Sequence, residues 1–551
     1  MKLLLTSLNS RYTHQNLAIH YFYNILKEKY DVSLEEYTIN DRIENIAYKI
    51  YRGGYDLVLF SIYIWNINMS LDLISYLKEI SNVKIVAGGP EVSFDYEEIF
   101  KKSDIDFLII GEGEEVIESL LDKIQSNSII NLHGVLYKKD GEVQGNSRYN
   151  IVQNTNNIPC IYLRKENINK NKYLYYEVSR GCPYNCKFCL SSTNKGVRVR
   201  DKDIVFKELK NILDSKVSIV KFVDRSFNFI PYHYDLIKFL IDNDNNITKF
   251  HLEIHPSLIS DEFIGLFKKA RSSQFQFEIG LQTTNLQTEK EINRVGSFDD
   301  IKEGVLKLKE TGIHIHMDLI FGLPYETYEI FKKSFNDLYS LKIDKIQLGF
   351  LKLLKGSRLR EDYKIYNYRF LQDPPYEVIS NMWVSIDDVF KMKVIEDVVE
   401  KFYNEKNFEY TINQLEEFYN SPFDFFEDFA SFWEDKYYLK NISKSGLYDA
   451  FLEFLIKKEL DKRDVLDCLR IDYLRNNNRS QKSLISKYFN ILEKNEVLKT
   501  VERNKELIEE FSGIDSKYIL KYSQFEEIDG KIYMFIKGNF LILEKEEDND
   551  K

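Results

Sequence analysis

Cysteine is scarce in this chain of 551 residues, with five in all, at positions 160, 182, 186, 189 and 468. Five cysteines, three of them within eight residues, cannot build a disulfide framework and suit a reducing compartment. No uninterrupted apolar segment approaches the roughly 20 residues needed to cross a bilayer. The opening MKLLLTSLNSRY turns polar too soon for a signal peptide. A cytoplasmic protein without membrane contact is therefore expected. Positive charge is also short, since 76 Lys and Arg stand against 87 Asp and Glu for a net charge of -11. That balance counts against nucleic acid as a partner, although a local basic groove would not show in the sum. No internal repeat or coiled-coil run organises the chain, and its length allows two or three domains.

What is present is a repeated alternation of short apolar runs with helix-length segments. Over residues 1–140, strands are expected from Lys2, Asp56, Val83, Asp106 and Leu132, and helices over 15–29, 70–81 and 114–126. This pattern predicts an α/β fold with a doubly wound, mainly parallel sheet. Ligands of such sheets bind beyond the carboxyl ends of the strands. Four polar or glycine-rich pieces fall there: Asn9 to His14, Ser61 to Asn66, Gly88-Gly89-Pro90-Glu91 and Gly111-Glu112-Gly113-Glu114. Each alone is equally an ordinary strand-to-helix turn, but four in one domain favour binding.

Residues 141–172 are polar and asparagine-rich and read as a linker. From Tyr173 to about 375, six further strand–helix units predict a partial or full (β/α) barrel. Alternation places His251, Glu253 and His255 on one strand face, as it does Glu278, Gly280 and Gln282, and His314, His316 and Asp318. A polar face within a parallel sheet covered on both sides is costly unless satisfied, so these rows are expected to line a lumen. Singly, each is equally a hydrogen-bonded core or surface side chain. Residues 376–551 read as a mainly helical region, closing on a small β element with turns at Asp529-Gly530 and Gly538-Asn539 and then a charged tail.

The chemistry concentrates in Cys182, Cys186 and Cys189, spaced CxxxCxxC. Soft thiolates at this spacing suit an iron–sulfur cluster, and three ligands leave one iron of a cubane open. A zinc site completed by His14 or His233 is the alternative, although the spacing lacks the paired form of zinc ribbons.

The run EVSRGCPYNCKFC from Glu177 to Cys189 resembles the signature of the radical SAM superfamily. The resemblance implies that Cys182, Cys186 and Cys189 hold a [4Fe-4S] cluster whose open iron binds S-adenosyl-L-methionine. It implies reductive cleavage to methionine and a 5'-deoxyadenosyl radical, fed by an electron donor such as ferredoxin or flavodoxin. Phe188 would pack near the adenine. Gln282 and Arg294 would contact the cofactor, through the likeness of Glu278–Thr283 and Ile292–Arg294 to the family's fourth strand and following helix. Met317–Pro324 resembles the end of the fifth strand. Val223–Asn228 occupies the second-strand position but lacks the glycine–glutamate pair common there.

The first 140 residues resemble the cobalamin-binding domains of one class of this superfamily, with Ser61, Gly88, Gly89, Gly111 and Gly113 as the implied cofactor-binding positions. The DxHxxG element is missing, so cobalamin would be held in a His-off mode. Over its whole length the chain resembles an uncharacterised bacterial group with a carboxy-terminal domain of unknown function, marked also by Leu8–His14 and Phe60–Asn66. The implied reaction is methyl transfer or rearrangement on an unknown substrate. Two alternatives stay open. One is a cobalamin-independent radical SAM enzyme whose first domain is structural or substrate-binding. The other is an RNA-modifying radical SAM protein in which Lys195, Arg198 and Arg200 meet phosphates.

Overall fold

A computed structural model describes residues 1–193, 196–479, 482–490 and 492–544, so Lys195 and the charged tail lie outside the described residues. Seven strands form the first sheet: β1 (Lys2–Asn9), β2 (Asp31–Thr38), β3 (Leu57–Ser61), β4 (Lys84–Gly88), β5 (Phe107–Ile109), β6 (Val135–Lys139) and β7 (Glu142–Asn146). Their order is β2-β1-β3-β4-β5-β6-β7, with β1 to β5 parallel and the last two antiparallel. Both faces are covered, which is why β3 reads as an unbroken apolar run. Leu4, Val58, Phe60, Ile85 and Leu108 pack on one side. Leu3, Leu5, Leu57, Leu59, Val86 and Ile109 pack on the other. The chain reverses direction across the sheet between β1 and β3, where this topology opens a ligand crevice.

Helices Leu17–Leu26, Ile67–Ile80 and Ile117–Gln125 fill the three expected places. Helices Ile43–Gly53 and Tyr96–Lys102 and edge strand β2 complete the sheet without having been expected. The stretch read as a linker is largely structured. Glu142–Asn146 extends the first sheet, while Val152, Ile158, Ile161 and Tyr162 are buried.

The second sheet starts with β8 (Leu174–Tyr176). A hairpin follows, β9 (Ser179–Cys182) against β10 (Gly196–Val199), and then β11 (Ile219–Phe222), β12 (Lys249–Glu253), β13 (Phe275–Gln282), β14 (His314–Phe321) and β15 (Lys345–Phe350). The order β15-β14-β13-β12-β11-β8 follows the chain and does not close, so the barrel is partial. Register aligns the polar face into rows. Tyr175, Lys221, His251 and Gln276 form one; Glu253, Glu278 and His316 form the next. Phe250, Leu252, Phe277, Ile279, Ile315 and Met317 face the other way and are buried. A short pair, β16 (Arg369–Phe370) and β17 (Val378–Ser380), follows.

Both sheets, apart from the first three residues of β15, belong to one compact unit, Met1–Asp337 with Leu341–Asp344 and Leu348–Ile386. The other unit is Asp387–Lys551 with Leu338–Ser340 and Lys345–Gln347. Its helices share an aromatic core in which Phe429 lies 4.6 Å from Phe454 and Phe402 lies 4.7 Å from Phe429, ring to ring. It ends in β18 (Gln524–Ile528), β19 (Lys531–Ile536) and β20 (Asn539–Leu543). Asp529-Gly530 makes the first turn as expected. The second is Lys537-Gly538, one residue earlier than expected, because these two residues carry the paired positive φ angles that a tight hairpin turn requires.

Candidate active site

The three clustered cysteines lie on the connection of the β9–β10 hairpin, where Cys182 pairs with Gly196. The connection is pinned to the segment after β13. The Lys187 amide donates to the Ile292 carbonyl at 3.0 Å, the Lys187 ammonium meets Glu291 at 2.6 Å, and the Asn293 amide reaches the Asn185 carbonyl at 3.3 Å. Arg294 belongs to this segment and faces Cys186. Burial pushes the Cys186 thiol up, and the Arg294 charge draws it back. Among the described residues, no three Cys, His, Asp or Glu side chains converge closely enough for one metal ion. Zinc needs four ligands crowded at about 2.0–2.3 Å, whereas a cubane spreads three thiolates over three irons. Of the proposed fourth zinc ligands, His14 has Nδ1 2.7 Å from the Tyr175 hydroxyl, and His233 has Nδ1 2.7 Å from the Ile230 carbonyl oxygen.

Beside the cysteines, several buried polar atoms have no protein partner. They are Gln282 Oε1, Arg294 Nε and both ring nitrogens of His255. A bulge in β13 between Gly280 and Gln282, with φ of 75° at Gln282, turns that side chain. Arg294 donates to the Gly280 carbonyl. His255 stacks on Tyr184 of the cysteine loop at 4.2 Å, and burial lowers its pKa to about 4 with Arg294 adding to the effect. Hydrogen-bonding groups left unsatisfied in a buried site, one of them cationic, fit a polar ligand such as S-adenosylmethionine. Phe188 is partly buried against an apolar group that includes Ile292, Leu323 and Leu351.

The five glycine and serine positions converge. Ser61, Gly88, Gly89, Gly111 and Gly113 line one cavity of about 380 Å³ at the carboxyl ends of β3, β4 and β5. The same cavity is lined by Glu177, Ser179, Arg180 and Gly181 next to the cysteines, and by Val223 and Arg225 after β11. No histidine lines it. Two of the glycines are required by the chain itself. Gly89, at φ 114°, would place a Cβ 2.3 Å from the Ile62 carbonyl oxygen, and Gly111, at φ 82°, one 2.5 Å from that of Asn150. Gly88 differs, because a Cβ there would meet nothing nearer than 3.8 Å. Four glycines leave part of the crevice rim free of side chains, which fits a broad, flat ligand such as a corrin.

A second cavity of about 750 Å³ shares Ala18, Tyr63, Pro90, Glu177, Arg180, Val223 and Arg225 with the first. Its walls include Asn9, Ser10, His14, Ile64 and Trp65 from the two distinctive loops, and Tyr175, Lys221, His251, Glu253 and Glu278 from the polar rows. Of the nine expected row positions, His251, Glu253 and Glu278 line this cavity, whereas His255, Gly280, Gln282, His314, His316 and Asp318 are not among its lining residues. His251 pairs with Glu278 at 2.9 Å and Arg225 with Glu253 at 3.4 Å. Burial, with Glu278 and Glu253 nearby, pushes the Asp318 carboxyl up.

Sequence reasoning missed the ion network joining the two rims. Arg180 meets Glu114 at 2.5 Å, Glu177 at 3.0 Å and Glu112 at 3.4 Å. Arg198, opposite Arg180 in the hairpin, forks onto Glu112 at 2.6 and 2.8 Å. Arg200 is buried against Glu208 at 2.9 Å. These pairings overturn the phosphate-binding reading of Arg198 and Arg200, since both are committed to internal carboxylates. Asp224 was also missed. It accepts from the Val178 and Ser179 amides at 3.2 and 2.6 Å, and burial pushes its carboxyl up to about 7. The signal for Arg180 was its place directly before Gly181-Cys182; nothing local marked its partners.

Comparison with known proteins agrees with this geometry. Residues 4–121 match the B12 binding domain, and residues 176–338 match the Radical SAM superfamily. The chain thus carries a radical SAM superfamily domain next to a B12 binding domain. More narrowly, residues 364–545 match a protein of unknown function, DUF4080. A radical SAM domain implies a [4Fe-4S] cluster and S-adenosylmethionine, and the B12 domain implies cobalamin. The chain is 26% identical to the uncharacterized methyltransferase PH0819 of Pyrococcus horikoshii, over 68% of this chain and 83% of that one. It is 23% identical to the cobalamin-dependent radical SAM methyltransferase TokK of Streptomyces tokunonensis, over 58% of this chain and 48% of the relative's length. The fold is similar to that of the cobalamin-dependent S-adenosylmethionine radical enzyme OxsB with aqua-cobalamin bound, with a TM-score of 0.62 and 14% identity over 91% of this chain and 80% of that one. It is also similar to the methyltransferase TsrM from Kitasatospora setae, with a TM-score of 0.57 and 16% identity over 70% and 84%. Among the described residues, no helix is long and apolar enough to cross a membrane.

Proposed function

We propose that the chain is a cytoplasmic, cobalamin-dependent radical SAM methyltransferase whose substrate occupies the larger cavity. The observation that carries this reading is the opening of the glycine rim of the first sheet and the charged lumen of the second onto contiguous cavities that share Tyr63, Arg180 and Arg225. Cys182, Cys186 and Cys189 hold the [4Fe-4S] cluster. Gln282 and Arg294 orient the methionyl end of S-adenosylmethionine and Phe188 lies at its adenine, while Ser61, Gly88, Gly89, Gly111 and Gly113 hold the corrinoid. When bound, the cluster would supply one-electron reduction and the corrinoid a carrier for the methyl group. The chain's own residues do the rest. Arg294 sets a positive charge beside Cys186. Tyr184 and His255 stack to close one side of the cysteine loop. Asp224 fixes the backbone leading into it. A soluble one-electron donor such as ferredoxin or flavodoxin supplies the reductant.

Anaerobic loading with iron, sulfide and hydroxocobalamin tests the reading. The expected result is a brown protein that retains corrinoid absorption through gel filtration and forms 5'-deoxyadenosine with reductant and S-adenosylmethionine. The triple replacement of Cys182, Cys186 and Cys189 by alanine should abolish the cluster absorption. A cluster-loaded protein that retains no corrinoid refutes the methyl-transfer reading.

A further inference from the structure

One cation in the larger cavity is not committed to a carboxylate. Arg225 and His251 pair with Glu253 and Glu278, and Arg180 with three glutamates, yet among the described residues Lys221 has no carboxylate within ion-pair distance. Its ammonium lies only over the Tyr173 ring, 5.8 Å from the centroid. Lys221 shares a row with Tyr175 and His251, and the Tyr175 hydroxyl is held by His14 from the first sheet's opening loop. Burial lowers the pKa of His14, and the charges of Lys221 and Arg11 lower it further, so this end of the cavity is electropositive. Asn9, Ser10, Gln15 and Asn16 add hydrogen-bonding groups to the same wall. Lys221 draws the Glu278 pKa down from a distance, but among the described residues no carboxylate is in ion-pair contact with it, so its charge is only partly compensated and an incoming anion adds a direct partner.

We infer that Lys221, Tyr175 and His14 form an anion subsite, and that the substrate carries a carboxylate or phosphate anchored there. The inference rests on the reading of this cavity as the substrate chamber. The subsite is distinct from the place assigned to the methionyl carboxylate. Lys221 is in register with Gln276, four residues before Gly280, where Arg294 binds, and at about 3.3 Å per residue that separates the two by roughly 13 Å along the strand.

The test is calorimetric titration of the full chain, both as purified and after cluster loading, with inorganic phosphate, succinate and N-acetylglycine, against chloride at matched ionic strength. Saturable binding of one equivalent is expected, with phosphate or the carboxylates preferred according to the substrate's anion. Lys221→Met should weaken binding at least about tenfold, and Lys221→Arg should keep it. Protection of Lys221 from acetic anhydride by the bound probe, read by peptide mass spectrometry, gives the same answer in the wild-type chain should the variant fail to fold. Absence of saturable binding, equal binding by Lys221→Met, lack of protection, or displacement of the probe by S-adenosylmethionine alone overturns the inference. Corrinoid retention and cluster absorption, measured on the wild type without these probes, report the methyltransferase reading separately.

Discussion

Replacing Arg180 by methionine should damage both rims at once, because this one guanidinium ties them together. It is 12% exposed and meets Glu112, Glu114 and Glu177 at 2.5 to 3.4 Å, and the carboxylates draw its pKa upward against the effect of burial. Methionine fills much of the same space but leaves Glu114 and Glu177 buried without their cation. Removing one partner of a buried ion pair costs about 3–5 kcal/mol, mostly as the penalty on the charge left behind. Glu112 retains Arg198, so the loss should fall at that range and not at a multiple of it. Arg180→Lys keeps the charge but loses the planar fork, and about 1–2 kcal/mol is expected. Urea unfolding of the cluster-free chain measures both variants. Corrinoid retention after loading should fall about tenfold in Arg180→Met, because Glu112 and Glu114 flank Gly113 on the glycine rim. A cycle with Glu114→Gln should return a coupling above about 1 kcal/mol. An unchanged unfolding midpoint, undiminished corrinoid retention or zero coupling would refute the argument that this network holds the rims.

Two further substitutions separate structure from function. Gly89→Ala forces a Cβ into the Ile62 carbonyl at a positive φ and should cost at least about 1–3 kcal/mol in urea unfolding. Gly88→Ala meets no protein atom within 3.4 Å, so it should leave the unfolding midpoint alone while weakening corrinoid retention; the reverse pattern would sink the assignment of the glycine rim. Glu326→Gln probes a buried carboxyl that burial raises to about 8 while Thr283 donates to it at 2.5 Å. Because its folded pKa lies above the unfolded value of 4.5, its contribution is fully present below pH 4.5 and is lost as pH rises through 8. The upper limit is about 5 kcal/mol. The amide variant should flatten stability between pH 5 and pH 8.5, within about that limit, and an unchanged pH profile would show that the carboxyl does not titrate as its burial requires.

Much of this architecture was legible because packing against two layers writes itself into the chain. The six strands of the second sheet were read from alternation, since one face meets helices and the other a lumen. The edge strand Asp31–Thr38 was not, because an edge needs no apolar run: only Tyr37 in it is buried, and Glu36 turns inward to Lys172 and the Asn16 amide. The region read as a linker misled for a related reason. Its Gly145 and Asn146 pair in a hairpin and its Tyr162 carbonyl accepts from Asn211 of the helix Lys202–Asp214, and polarity alone does not distinguish a solvated connection from one whose backbone is satisfied locally. Charge partners were the least legible feature. Arg180 and Arg198 sit opposite each other across the β9–β10 hairpin, an arrangement that repels by itself. It persists because Glu112 and Glu114, which stand 66 positions or more earlier in the chain, lie between them and the first sheet. The basic run at Arg198 and Arg200 therefore looked like a phosphate-binding surface, while the acidic run at Glu112 and Glu114 looked like part of a turn. Each is explained by the other. Glu177 offsets part of that repulsion locally and Glu112 and Glu114 offset the rest, so the carboxylates of the glycine rim and the arginines of the cysteine hairpin stabilise one another.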